Sequence, residues 1–218
     1  MREIIEKYKN DPLIKKKLIM MVIGVSLMGF SLSFLREVDL GTDPFTFMNL
    51  TLSGRLHMLF GTWQLFLNIL MLIIGWFWNK KLLGPGTIYN MVGIGYISDF
   101  FKYIWDNNIP REIFTEYPSR ALVFIAALVV FAISAAIYMN SDCGLSPYDL
   151  LANNTANSIK LLPFFVKRMA FDFCAILIGI IAGSIPNIGT ICIAAALGPA
   201  ISAVGKVMRK MIFKETVE

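Results

Sequence analysis

The sequence is poor in charge and nearly devoid of histidine. Only 16% of its 218 residues are Asp, Glu, Lys or Arg, against about 25% in an ordinary soluble domain. The single histidine, His57, and three cysteines without CxxC or other ligand spacing (Cys143, Cys174, Cys192) form no pattern that reads as a zinc or di-iron site or a His-based triad. Gly84-Pro85-Gly86-Thr87 and Asn187-Ile188-Gly189-Thr190 lack the lysine and spacing of a phosphate loop, so nothing reads as an ATPase. An enzyme, a bound cofactor and a resident metal are therefore not expected. The net charge of +5 does not point to nucleic acid either, because the basic residues gather at the ends of apolar runs, where they report membrane topology.

Apolar sequence is what abounds. Hydrophobic residues make up 56% of the chain, and the mean hydropathy is +0.65, which places it among polytopic membrane proteins. Leu18 to Leu35, Leu56 to Asn79, Leu82 to Ser98 and Ala121 to Ser141 carry no charge, and Phe173 to Gly205 is an uncharged run of 33 residues broken at Gly183-Ser184-Ile185-Pro186-Asn187. With about 20 apolar residues per crossing, six spans are predicted, at 18–35, 62–79, 83–105, 121–139, 163–183 and 188–206. The first run ends in Ser33-Phe34-Leu35-Arg36-Glu37 instead of a small-residue cleavage site and reads as an anchor. The charged stretch Met1–Lys17 is weakly amphipathic up to Asp11-Pro12, consistent with either a short interfacial helix or disorder.

The chain is also written twice. Asp39-Leu-Gly-Thr-Asp-Pro-Phe45 returns 103 residues later as Asp142-Cys-Gly-Leu-Ser-Pro-Tyr148, and the same offset maps Ser31 onto Ser134, Gly86-Thr87 onto Gly189-Thr190 and Gly95 onto Gly198. The organisation is therefore an N-terminal segment (1–17), one membrane repeat (18–107), a connection (108–119), a second repeat (120–210) and a tail (211–218). Each repeat has a long apolar helix, a polar turn, a short helix and two further apolar helices, giving an all-α polytopic protein with six full spans and two short helices.

The short helices run from Pro44 to about His57 and from Pro147 to about Lys160. At about 14 residues each would extend about 21 Å, less than a ~30 Å hydrocarbon core. The second is very polar, with Asn153, Asn154, Thr155, Asn157 and Ser158, so it is expected to line a cavity or pack on protein. If the short helices are re-entrant, the repeats are inverted and fifteen Lys and Arg lie inside against five outside; if they cross, the repeats are parallel and the count is seventeen against three. Both arrangements obey the positive-inside rule with both termini cytoplasmic. Span length favours the inverted one.

The paired turns are the leading functional candidates. Asp43 and Ser146 each precede a proline, Pro44 and Pro147, which is a strong helix-start signal. Gly41 and Gly144 would let the backbone turn with positive φ. Helix N-termini offer free N–H groups and partial positive charge, and discontinuous transporter helices use them to hold solutes. Thr46 and Asp149 occupy one repeat position in the first turns, and Asn153 follows on the second. Asp43, Thr46, Ser146, Asp149 and Asn153 are thus the expected solute contacts, with Gly41, Pro44, Gly144 and Pro147 shaping the turns. Arg168 and Asp172 are four apart and read as a helix-end pair, Asp99 as an interfacial residue, and Gln64, Asn68 and Asn90 as helix–helix hydrogen bonders.

These turns, together with Phe60-Gly61-Thr62-Trp63 and Gly95-Tyr96-Ile97-Ser98-Asp99-Phe100, resemble the YczE/YyaS/YitT family of bacterial integral membrane proteins over about residues 18–210. Members carry Gly-x-Ser-Pro-Trp-Asp at the first turn, where this chain has Asp43, Phe45 and Thr46; its second copy, Ser146-Pro147-Tyr148-Asp149, keeps the pattern better. The resemblance implies a bacterial plasma-membrane location and no substrate. The function expected from the residues is a secondary transporter or facilitator of a small anionic or zwitterionic solute, in contact with the lipid bilayer and with homo-oligomerisation left open. A substrate-binding membrane subunit of a multi-component importer and a non-transporting regulator or scaffold are the alternatives.

Overall fold

The computed structural model describes residues 11–78, 82–157 and 164–212, and among them there are helices and no strands. The helices are α1 (Ile14–Val38), α2 (Pro44–Arg55), α3 (Phe60–Trp78), α4 (Pro85–Asn108), α5 (Glu112–Thr115), α6 (Ser119–Asn140), α7 (Pro147–Asn157), α8 (Phe164–Ile181) and α9 (Ile188–Ile212). The segment expected to precede Asp11, the end of the second short helix and most of the tail lie outside the described residues.

Among the described residues, four helices are long and apolar enough to cross a membrane, within Ile14–Val38, Phe60–Phe77, Ser119–Asn140 and Ile188–Met208. Helices α4 and α8, also expected to span, have 24 and 18 residues but fall outside that apolar set. Helix α4 carries Asn90, Ser98, Asp99 and Lys102, and α8 carries Lys167, Arg168 and Asp172. Much of this polarity is turned inward: Asn90, Ser98 and Asp172 are buried. Large apolar side chains face out instead, at helical spacing, as with Phe66, Ile69, Leu70, Ile73, Ile74 and Phe77 on α3 and Leu122, Ile125, Val129 and Ile133 on α6. A helix surface of this kind is stable against lipid and would be a large exposed apolar patch in water.

The centre is the pair α1 and α6, which run antiparallel. Lys17 near the start of α1 lies 3.7 Å from Asp142 just past the end of α6, and Arg120 at the start of α6 donates through Nε to the Val38 carbonyl at the end of α1, at 2.7 Å. Small residues allow the close approach: a Cβ on Gly24 would sit 2.8 Å from the Tyr138 amide nitrogen. Ser31 and Ser134 are fully buried at equivalent positions. Each satisfies its hydroxyl within its own helix, on the carbonyls of Leu27 (2.7 Å) and Val130 (2.5 Å).

Around this pair the two halves of the chain interlock. Helix α2 packs on α8 and α7 on α3, with Phe47 seated on Gly179 and Leu150 on Gly75. The turns cross over in the same way. Thr42 N–H donates to Thr190 Oγ1 at 3.2 Å, while Gly86 N–H donates to the Cys143 carbonyl at 2.8 Å and Leu145 N–H to that of Leu82 at 3.1 Å. Each turn is therefore held by the start of the last long helix of the other half.

Candidate functional site

The site begins with local geometry. Asp39 and Asp142 adopt left-handed φ values of 44° and 54°, and Gly41 and Gly144 follow at 135° and 111°. A side chain at either glycine is excluded on two counts, since a Cβ on Gly144 would also lie 2.6 Å from Gly84 N. The chain then extends and helix starts at a proline. Asp43 caps α2 through Oδ1, which accepts the Thr46 N–H at 3.1 Å. Ser146 caps α7 through Oγ, which accepts the Asp149 N–H at 3.1 Å, and its hydroxyl donates to Asp149 Oδ2 at 2.8 Å. The two starts thus use the same pair of positions with the residue types exchanged: carboxylate then hydroxyl in one, hydroxyl then carboxylate in the other.

The two starts meet. The rings of Phe45 and Tyr148, each the second residue of its helix, are 4.4 Å apart. Beside them lies a cavity of about 60 Å³, lined among others by Asp43, Thr46, Ser146 and Asp149. At about 30 Å³ per water in the liquid, this is room for roughly two molecules. Four of the five expected contact residues therefore share one wall. Asn153 is half-buried and does not line the cavity: it lies one turn further along α7, about 6 Å beyond Asp149 along the axis. Gly41, Pro44, Gly144 and Pro147 set the approach without lining it.

The rest of the wall comes from residues to which the sequence assigns other roles. Arg168 lines the cavity and donates through Nη1 to Asp149 Oδ1 at 2.5 Å. Its Nε is 4.0 Å from Asp172 Oδ2, so its closer partner is on the other helix and not four residues along its own. Asp172 in turn accepts the Tyr148 hydroxyl at 2.8 Å. Gln64, Asn68 and Asn90, read as helix–helix hydrogen bonders, all line the cavity and are at most 4% exposed. Gln64 Oε1 is buried with no donor. Apolar and aromatic side chains, including Met28, Phe131, Tyr138 and Met139, complete the enclosure. The signal that could have found the wall is a charged or amide side chain deep in an apolar run, which at membrane depth is functional by default.

Asp99 is not simply interfacial. It accepts Arg36 Nη1 at 2.8 Å and the Gly61 N–H at 2.6 Å, the latter capping the start of α3. A second hollow of about 320 Å³ lies beside the first turn, between Arg36, Asp39, Thr42, Asn187 and Thr190.

Apolar helices facing outward around a polar interior define a helical integral membrane protein. The chain belongs to a family of unknown function, DUF6198, whose model matches residues 15–206. It is 26% identical over 172 residues to the uncharacterized protein YyaS of Bacillus subtilis, covering 78% of this chain and 82% of that protein. It is 22% identical over 186 residues to an uncharacterized protein of Haemophilus influenzae, covering 85% and 82% respectively. The uncharacterized membrane protein YczE of Bacillus subtilis aligns at 25% identity over 129 residues, 59% of this chain and 57% of that protein. The YczE/YyaS resemblance carried by the turns is thus the family relationship of the chain. No solved structure matches it.

Proposed function

We propose that this membrane protein is a secondary transporter or facilitator of a small solute, with the cavity between the starts of α2 and α7 as its binding site. The observation that carries the reading is that two proline-started helices from different halves of the chain open into one cavity, lined in part by buried polar side chains. Buried polar side chains are costly in a lipid-facing bundle unless they are paired or face something polar. Discontinuous helices that begin inside a bundle are a device of solute sites. Asp43, Thr46, Ser146 and Asp149 are the proposed contacts, with Gln64, Asn68, Asn90 and Arg168 beside them and Asn153 at the edge. The reading is of a non-enzymatic protein.

The topology that goes with this has six spans, α4 and α8 crossing with their polar residues turned inward. Helices α2 and α7 enter from opposite faces and return, and segments 18–107 and 120–210 are inverted repeats. The antiparallel α1 and α6 support it. So does the path of α2, whose 12 residues rise only about 18 Å. It begins after a turn seated on Gly189 and Thr190 and ends with Arg55 against Gly183, so both ends of the segment approach the α8–α9 connection. Basic residues before Leu18 favour termini on the cytoplasmic side of a bacterial plasma membrane in this reading.

Thiol accessibility tests the site. Single cysteines replacing Thr46 and Ser146, in a protein lacking Cys143, Cys174 and Cys192, should react with small water-soluble thiol reagents from at least one side of the membrane. Inertness of both, alongside a reactive cysteine at the exposed Pro110, would mean a dry interior and favour a scaffold.

A further inference from the structure

The wall of the cavity is balanced in charge. Its ionised side chains are Asp43, Asp149 and Arg168, and the two helix N-termini add about half a positive charge each, so the sum is close to zero. The ionised groups are also engaged with the protein itself. Arg168 Nη1 donates to Asp149 Oδ1 at 2.5 Å, Asp149 Oδ2 accepts the Ser146 hydroxyl at 2.8 Å, and Asp43 Oδ1 accepts the Thr46 N–H at 3.1 Å. An ion of either sign would bring an uncompensated charge to this wall, and a zwitterion would have to open the pairs already made.

What the wall leaves free is neutral. Gln64, Asn68 and Asn90 line the cavity and are 4%, 2% and 4% exposed, and among the described residues their side chains have no hydrogen-bond partner. Each of these primary amides brings one carbonyl acceptor and two N–H donors. Arg168 Nε is a buried donor without an acceptor, as Gln64 Oε1 is a buried acceptor without a donor. Buried polar groups in a lipid-facing bundle have no outside water to turn to, so their partners must come from whatever fills the space. The demand is two-sided, for an occupant that both accepts and donates. A volume of about 60 Å³, the liquid share of roughly two waters, limits that occupant to a few heavy atoms.

We propose that the solute is a small uncharged amide or urea, which pairs its own N–H and C=O groups with the side-chain amides of Gln64, Asn68 and Asn90. An amide complements an amide, because each presents the donor and the acceptor that the other needs. This rests on the cavity being a solute site and specifies the chemical class of what enters it.

The test is binding to the purified full-length protein in lipid nanodiscs, by calorimetry. Urea and acetamide form one arm. Their isosteric ions, guanidinium chloride and sodium acetate, form the other, together with glycine as a zwitterion. Urea or acetamide is expected to bind saturably and at least tenfold more tightly than its isosteric ion and than glycine. Asn68→Leu and Asn90→Leu remove an amide at nearly constant volume and should each weaken that binding at least fivefold. Their melting temperatures should not fall, because the amide they remove has no partner in the protein. Gln64→Glu should move the preference from urea to guanidinium, a gain that a misfolded variant cannot produce. Urea or acetamide binding indifferent to all three variants would place it elsewhere and overturn the proposal. Tighter binding of an ion or of glycine, lost in the leucine variants, would overturn the uncharged assignment and leave the cavity as the site. Binding of none of the probes overturns the assignment as well. If the cysteines at Thr46 and Ser146 are also unreactive, the solute-site reading falls with it.

Discussion

Arg168 on α8 holds Asp149 in the first turn of α7 at 2.5 Å, and this pair ties the α7 start to the longer helix beside it. Both members are largely buried, so the pair is costly to form and costlier to break. Arg168→Ala would leave the buried Asp149 and Asp172 without their cation and should destabilise the fold by about 3–5 kcal/mol. Removing both charges, as Arg168→Ala with Asp149→Ala, should recover part of that loss. Arg168→Lys should behave more like the alanine variant than like the native residue, because a point charge does not reproduce a guanidinium placed between two carboxylates. Denaturant unfolding in micelles, arranged as a double-mutant cycle, checks this; additive single effects would mean the pair is not coupled.

The caps make a separate prediction. Asp43→Ala removes the acceptor for the Thr46 N–H and should cost about 1 kcal/mol, whereas Asp43→Asn should cost only a few tenths because asparagine caps equally well. Ser146→Ala removes both the cap of α7 and the hydroxyl that orients Asp149, and should cost at least as much as Asp43→Ala. Ranking the melting temperatures of the three variants measures this, and equal losses for Asp43→Asn and Asp43→Ala would show that charge, not capping, is what Asp43 supplies to stability.

What can be read from the sequence is what is local. A glycine at positive φ, an Asp or Ser at a helix start and a proline at its first position are all fixed by residues within five of one another, so the two turns stand out. The same turn recurs 103 residues later. Arg168 reads against Asp172, four residues along its own helix, because sequence spacing reveals only such neighbours; its nearer partner, Asp149, becomes visible once α8 folds across α7. Gln64, Asn68 and Asn90 look like isolated polar residues for the same reason. Their repeat counterparts are Lys167, Phe171 and Ile193, so the offset that exposes the turns cannot expose the wall. The cavity is built asymmetrically, with amides from the first half and ionised groups mostly from the second.

The glycines of the two turns should tolerate no side chain. Gly144→Ala forces a Cβ to 2.6 Å from Gly84 N in a backbone with φ of 111°, and alanine at positive φ is strained even where there is room. Gly41→Ala meets the backbone of Gly189 and Thr190 in the same way. At Gly54, by contrast, an added Cβ would have nothing within 4 Å. Gly54 lies in the last turn of α2, so Gly54→Ala should be neutral or stabilising by up to about 1 kcal/mol. The fraction of protein eluting as a monodisperse peak after extraction separates the cases: a sharp loss for the first two and none for the third.

Topology turns on where α2 ends. Charge does not decide it, since inverted and parallel arrangements both leave the termini on the inner side. Direction is more informative. Lys17 with Asp142 and Arg120 with Val38 make α1 and α6 antiparallel, so if both span, an even number of crossings separates them. Helices α3 and α4 supply two. A crossing by α2 would make three and turn α6 parallel to α1, which favours an α2 that returns to the face it entered from. In that six-span order Arg55 and Pro110 lie outside and Pro12 inside; with α2 crossing, Arg55 and Pro110 both move inside. Single cysteines at these three positions, in a protein lacking its native cysteines, should therefore divide two and one. Positions 55 and 110 should be blocked by an impermeant maleimide added to intact cells, and position 12 labelled only after lysis. Protection of positions 55 and 110 in intact cells would break the six-span order and with it the inverted relation of the two halves.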